Sequence, residues 1–225
     1  GDFELALSNG TFVSDFTVAR FNANGSLDLP FGTSGTGQVA TDIGGAFNSA
    51  SNVVLQPNGA IVVSGKANCS QVGCDHTDVV RYAANGTLDA SFGNGGKLTL
   101  AGKGVGEGLV RQADGKLVLA GGVTTTTAPF TARFVLAGGV TTATVPATAR
   151  FVLMRLNVDG TADTSFGNAG TVDTAFTENA TANGVALQAD GKIVAVGTRA
   201  LSANPNFIVA RYNANGSVDA TFGSD

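Results

Sequence analysis

The chain has 225 residues, of which 13% are charged and 32 are glycine, and its formal net charge is −4. This acidic, sparsely charged composition excludes a broad surface for nucleic acid or anionic membrane, because such surfaces need clustered lysine and arginine. No apolar run approaches the roughly 20 residues of a membrane-spanning helix, and abundant glycine predicts short strands joined by tight turns.

Two sequence motifs alternate along the chain. The first motif occurs four times, each time followed by a Phe-Gly pair, at residues 18–28 (VARFNANGSLD), 79–89 (VVRYAANGTLD), 153–163 (LMRLNVDGTAD) and 209–219 (VARYNANGSVD). The second motif lies between these copies, at residues 54–65 (VLQPNGAIVVSG), 110–121 (VRQADGKLVLAG) and 186–197 (ALQADGKIVAVG). The motifs recur with a period of about 60 residues, which indicates a repeat architecture.

In chain order, the repeats predict a partial N-terminal blade at 1–32 and three complete blades at 33–93, 94–167 and 168–225. Each complete blade is expected to hold four short antiparallel strands, as at 170–175, 183–188, 192–198 and 207–213. Such sheets bury both faces only by stacking on one another, so we predict an all-β array of tandem blades of the β-propeller type, almost without helix.

Turn residues define the ends of these strands. Asn58-Gly59, Asp114-Gly115 and Asp190-Gly191 are expected to form two-residue type I′ hairpins, because both residue types tolerate positive φ. The turn at Asn24-Gly25 and its equivalents follow the fourth strand. We expect them to end a blade and direct the chain toward the next.

The third blade contains a tandem duplication, in which residues 117–133 recur almost unchanged as 134–150. We expect an enlarged hairpin or an extra strand pair protruding there, with an underdetermined register, because two similar segments compete for one sheet position. The chain also begins within a third strand and stops before a first strand. We therefore expect a piece of a longer protein, or an assembly in which other chains pair with exposed blade edges.

Each copy of the first motif places an arginine and an aspartate at the same spacing. We interpret the aspartate as a group that fixes the blade corner by accepting hydrogen bonds from the turn or from its arginine. The alternative is a ring of four arginines that binds a ligand. The phenylalanines of the Phe-Gly pairs are interpreted as core anchors between blades. The pairs are Arg20 with Asp28, Arg81 with Asp89, Arg155 with Asp163, and Arg211 with Asp219.

Cys69 and Cys74 are predicted to form a disulfide that closes a small loop, with two unpaired thiols as the alternative. A disulfide and a low charge together favour an extracellular, cell-surface or periplasmic location. No metal site is predicted, because His76 is the only nearby soft ligand, although the Asp/Asn-rich turns leave calcium open. No Gly-x-Ser-x-Gly nucleophile motif is present, so we predict no enzyme and no cofactor, with a hydrolase as the least favoured reading.

These motifs resemble the delta-60 repeat family, a bacterial β-propeller-like repeat. The resemblance is carried by residues 188–197 (QADGKIVAVG), residues 211–223 (RYNANGSVDATFG) and their other copies. It implies a repeat of large secreted or surface proteins. We therefore expect a structural or adhesive module that associates with itself or with other repeat chains. The alternative is a binding module that holds a glycan or a peptide on a propeller face.

Overall fold

The computed structural model describes residues 2–6, 12–44, 47–70, 73–101, 105–123, 130–136, 139–145, 150–176, 179–200 and 205–223. All of the regular elements in these ranges are β-strands, and the ranges contain no helix. The predicted all-β class is therefore confirmed. In the same ranges no helix is long and apolar enough to cross a membrane.

Fourteen of the sixteen described strands form four antiparallel sheets that follow one another along the chain. The first contains β1 (Asp2–Ala6), β2 (Phe12–Ala19) and β3 (Gln38–Thr41). The second contains β4 (Ser49–Leu55), β5 (Ile61–Ser70), β6 (Gly73–Tyr82) and β7 (Lys97–Ala101). The next six strands are β8 (Val105–Arg111), β9 (Leu117–Val123), β10 (Phe130–Leu136), β11 (Gly139–Val145), β12 (Arg150–Leu156) and β13 (Thr171–Thr174). Of these, β8, β9, β12 and β13 form the third sheet, and the fourth contains β14 (Asn179–Leu187), β15 (Ile193–Ala200) and β16 (Pro205–Tyr212).

The sheets are offset by one strand from the predicted blades 33–93, 94–167 and 168–225. The strands expected to open these blades are β3, β7 and β13, and each pairs instead with the last strand of the preceding unit. In the second sheet the chain reverses between β6 and β7. The Asp89 N–H donates to the Arg81 carbonyl at 2.9 Å, and the Arg81 N–H donates to the Gly96 carbonyl at 2.8 Å. The Asn-Gly turn therefore leads back into its own sheet, and the expectation that it leads to the next blade is wrong.

The hairpins at Asn58-Gly59, Asp114-Gly115 and Asp190-Gly191 are present but are not type I′. Their glycines have φ of 82°, 87° and 83°, whereas Ala169 is the only non-glycine with positive φ in the described ranges. The Gly59 N–H donates to the Gln56 carbonyl at 2.9 Å, and the Asn58 side chain accepts from the Ala60 N–H at 3.1 Å. This pattern is a type I turn followed by a left-handed glycine. The asparagine or aspartate caps the backbone with its side chain and keeps a negative φ.

The hydrophobic core lies between the sheets, because successive residues of a strand face opposite neighbours. The first junction joins Phe16 and Phe31 to Ile61, Val80 and Tyr82. The second joins Phe92 and Leu98 to Leu117, Leu119 and Met154. The third joins Leu153 and Phe166 to Ile193, Ala195 and Tyr212. Each sheet is thus buried against its neighbours, as the repeat predicted, and the described sheets form an array that is not closed into a ring.

The duplication adds a strand pair that belongs to none of the four sheets. β9 comes from the first copy and pairs with β12. β10 and β11 follow β9 in the chain and pair only with each other. The expected extra strand pair is therefore present, but it is separate from the third sheet. β10 lies beside β7 of the second sheet.

Candidate functional site

Every sheet ends in the same cluster of side chains, which we call a corner: the motif arginine, its aspartate and the phenylalanine of the Phe-Gly pair. In chain order the arginine Nε lies 2.6, 2.9, 2.7 and 2.8 Å from the aspartate Oδ2. The guanidinium carbon lies 4.6, 4.8, 4.5 and 4.6 Å from the centre of the phenylalanine ring. Each guanidinium therefore makes an ion pair and a cation–π contact within its own corner.

The aspartate of a corner is held by several donors at once. Burial opposes the charge of Asp163, but hydrogen bonds from Ser165 and Lys116 and the charge of Arg155 hold its pKa well below the usual range. The Ser165 N–H and hydroxyl donate to Asp163 Oδ1 at 3.1 and 2.7 Å. Such a carboxylate stays charged at any physiological pH and fixes the chain reversal.

Lysines that sequence reasoning missed complete two of the corners. Lys116 Nζ lies 2.9 Å from Asp163 Oδ2, and Lys192 Nζ lies 2.9 Å from Asp219 Oδ2. The signal was present in the second motif, where both lysines follow an Asp-Gly turn. Ala60 holds this place in the copy nearest to Asp89, so that corner has no equivalent lysine.

Each of the first three corners also binds the turn of the next repeat, which contains Asn85-Gly86, Asp159-Gly160 and Asn215-Gly216 in chain order. The arginine Nη1 donates to a turn carbonyl, in the pairs Arg20 to Ala84, Arg81 to Val158, and Arg155 to Ala214. The glycine of the Phe-Gly pair donates its N–H to the following carbonyl, in the pairs Gly32 to Asn85 at 2.8 Å, Gly93 to Asp159 at 2.9 Å, and Gly167 to Asn215 at 2.9 Å. Sequence reasoning predicted the pairing within a corner but did not find this bond between repeats.

The turn can approach so closely because it contains a glycine. A Cβ on Gly86 would lie 2.8 Å from the Gly32 nitrogen and 3.0 Å from the Phe31 ring. A Cβ on Gly216 would lie 2.9 Å from the Phe166 ring. The arginines of the first three corners are thus occupied by contacts between repeats, which favours the architectural interpretation over a ligand-binding ring.

One polar pair departs from the repeat. His76 Nε2 lies 3.4 Å from Asp78 Oδ2, while the positions equivalent to Asp78 hold Thr17, Val152 and Ile208. Burial raises the pKa of Asp78, and nearby His76 works against this shift. No hydrogen bond of good geometry reaches either carboxylate oxygen among the described residues, although the Thr99 and His76 side chains lie close enough to oppose the rise in its pKa. A buried carboxylate with a raised pKa is a candidate for function on physical grounds, although structural groups show the same property.

The remaining predicted ligands are less completely described. Cys69 and Cys74 lie opposite each other in the register of β5 and β6, but their side chains lie outside the described residues, so the disulfide stays a prediction. Within the described ranges, no three His, Cys, Asp or Glu side chains are grouped in a way that could hold a metal ion.

Two small clefts lie where neighbouring sheets meet. One, of about 220 Å³, is lined by Thr17, Ala19, Asn52 and Val63, and the other, of about 280 Å³, is lined by Gln112, Asp114, Leu187 and Gln188. Both are below the range of roughly 300 to 1,000 Å³ that is typical of small-molecule pockets.

The comparison with protein families identifies a repeat unit that matches the corners. The model described as "Domain of unknown function (DUF5122) beta-propeller" matches residues 10–31, 56–92, 135–166 and 188–222, which together make up more than half of the chain. Each matched segment contains one complete corner from its arginine to its phenylalanine. The comparison with curated proteins found no match.

Proposed function

The chain belongs to this DUF5122 beta-propeller family, and from that premise we propose that it is a non-enzymatic structural and adhesive repeat module. Its place would be a bacterial secreted or cell-surface protein, as the resemblance to delta-60 repeats implies. The observation that carries the proposal is what the corner arginines bind. Three of the four arginines bind the main chain of the next repeat, so the motif residues hold sheets together.

An array built in this way is suited to presenting surface features at fixed spacing. Its core lies between sheets, and the β10–β11 strand pair belongs to none of the four sheets and lies beside β7. Hairpins and loops on a rigid scaffold are common positions for contacts with other molecules.

Adhesion of coated beads tests the proposal. Beads that carry the purified chain should be retained under flow, several-fold above albumin-coated beads, on a surface coated with cell envelope from the source bacterium. Beads carrying a chain that lacks residues 124–140 show whether the β10–β11 hairpin contributes to the retention. Retention equal to that of albumin would contradict the adhesive role.

Two further measurements separate the alternatives. Binding to a glycan or peptide array without bead retention would favour the propeller-face binding module. Turnover of ester or glycoside substrates that is abolished by His76→Ala would favour a hydrolase. Exposure of the chain to protease added to intact cells would test the cell-surface location.

A further inference from the structure

The two end sheets expose opposite halves of the junction that joins the inner sheets. At every inner junction one sheet contributes its corner face, which carries the arginine and the phenylalanine of the corner. The next sheet contributes its turn face, which carries the residue after its own arginine and the Asn-Gly turn. The corner face of the fourth sheet and the turn face of the first sheet lack this partner in the described part of the chain.

The corner face of the fourth sheet is apolar and exposed. Phe207 on β16 is 94% exposed, whereas Phe16 and Phe151, at the equivalent positions of β2 and β12, are fully buried. Phe222 is 37% exposed, and the phenylalanines of the other corners are fully buried. Ends of repeat arrays are usually polar, because that keeps them soluble as monomers. An apolar end face therefore indicates a surface that a further repeat unit covers, as at the inner junctions.

The same face contains an incomplete polar site. Arg211 lies 2.8 Å from Asp219 and 4.6 Å from the Phe222 ring, as in the other corners. Its Nη1 has no carbonyl partner among the described residues, whereas the other three corner arginines each donate Nη1 to the next turn. The site thus lacks the carbonyl that a further Asn-Gly turn would supply.

The turn face of the first sheet is the complementary surface. Phe21 is 61% exposed, whereas Tyr82, Leu156 and Tyr212 at the equivalent positions are fully buried. A Cβ on Gly25 would meet no atom within 4 Å, although the equivalent glycines of the other turns are in tight contact. The turn at 22–26 reads NANGS, and so does the turn at 213–217 that the third corner binds. A surface that binds one of these turns is therefore matched to the other.

We propose that two copies of this chain associate head to tail, with the corner face of one copy bound to the turn face of the other. By equivalence with the inner junctions, Arg211 Nη1 donates to the Ala23 carbonyl of the second copy and the Gly223 N–H donates to its Asn24 carbonyl. Phe207 and Phe222 of one copy and Phe21 of the other are buried in the shared core. This inference rests on the proposed self-associating module and names its interface. Because the two faces differ, the contact is heterologous and produces a ring or a filament.

Complementary variants test the interface. Phe207→Asp places a charge on the corner face and Phe21→Asp places a charge on the turn face. Both positions are exposed, so both variants are expected to fold, and circular dichroism checks that they do. Leu55→Asp is the matched control, because Leu55 is exposed on β4, in neither end sheet. Light scattering after size exclusion then gives the mass of each protein at rising concentration.

We expect the wild type and Leu55→Asp to associate as concentration rises, and each phenylalanine variant alone to weaken association at least about tenfold, as charges in an apolar interface core do. An equimolar mixture of the two phenylalanine variants should form a heterodimer, because each retains one intact face. A monomeric wild type, or a mixture that stays monomeric, would overturn the proposal. A mixture that dimerises while coated beads fail to adhere would keep this interface and reject the adhesive role. Adhesion by a chain that stays monomeric would keep the adhesive role and reject this interface.

Discussion

Substitution of Gly86 by alanine measures the contact between a corner and the following turn. Gly86 has φ of 90°, and a Cβ there would lie 2.8 Å from the Gly32 nitrogen. Gly25 is the matched position of the first repeat, with φ of 84° and open space around its Cβ. Both glycines donate their N–H to the turn carbonyl three residues earlier at 2.9 Å. The two substitutions therefore impose the same backbone strain and differ only in the docked neighbour.

The expected difference follows from adding the separate effects. Alanine at a left-handed position destabilises by about 1 to 2 kcal/mol, which applies to Gly25→Ala and Gly86→Ala alike. At Gly86 the methyl group also overpacks the junction, at about 1 to 3 kcal/mol, and weakens the Gly32–Asn85 hydrogen bond, at about 1 kcal/mol. Gly25→Ala should therefore lower the free energy of unfolding by about 1 to 2 kcal/mol, and Gly86→Ala by about 3 to 6 kcal/mol.

Urea denaturation at equilibrium gives both values. The measurement is made with Phe207→Asp present in every protein, so that association between copies does not add to the stability of the turn at Gly25. Equal losses for the two variants, within about 0.5 kcal/mol, would refute the view that corner and turn hold the sheets together.

Other predictions concern charge and the duplication. Burial raises the pKa of Asp78, so the folded state loses stability as pH rises above the usual pKa of a carboxyl group. In urea denaturation, Asp78→Asn should therefore raise the free energy of unfolding by about 1 kcal/mol at pH 7 and leave it unchanged near pH 3. Hydrogen bonds and cations outweigh burial and lower the pKa of Asp163, so this carboxylate stabilises the fold above the usual pKa of a carboxyl group and ceases to do so as pH falls below it. Asp163→Asn should therefore flatten the acid side of the plot of unfolding free energy against pH, and an unchanged plot would contradict this. Deletion of residues 124–140 removes one copy of the duplication but leaves β9 paired with β12. The free energy of unfolding obtained from thermal denaturation should therefore fall by no more than about 1 kcal/mol, and a larger loss would mean that the hairpin supports the third sheet.

The strand positions were predictable because turn chemistry recurs at a fixed interval. In the last repeat the expected strand 207–213 corresponds to β16 at Pro205–Tyr212, and 192–198 corresponds to β15 at Ile193–Ala200. The assignment of strands to sheets was not predictable in the same way. A motif marks where the chain reverses, but the neighbour of β7 is fixed by the bond from the Arg81 N–H to the Gly96 carbonyl, which no local pattern indicates.

The corner was predictable only in part, for the same reason. An arginine and an aspartate eight residues apart, as in Arg155 and Asp163, already indicate a local pair. The turn carbonyl that Arg155 also binds belongs to Ala214, 59 residues away, and main-chain acceptors leave no trace in the residue type. The contact of Lys116 with Asp163 joins a residue of the second motif to a residue of the first, and neither motif alone predicts it.

The location of the core links folding to association. A sheet in this array has no core of its own, so the second and third sheets are held by two junctions, and the first and fourth by one. Stability of such arrays is approximately a sum over neighbouring junctions, so the end sheets should open first. In the monomeric Phe207→Asp variant, amide hydrogens of β15 should exchange faster than those of β5 and β9, and association of the wild type should protect the first and fourth sheets more than the inner two. Uniform exchange across the sheets would mean that the chain unfolds as one unit, and the end faces would then gain little from a second copy.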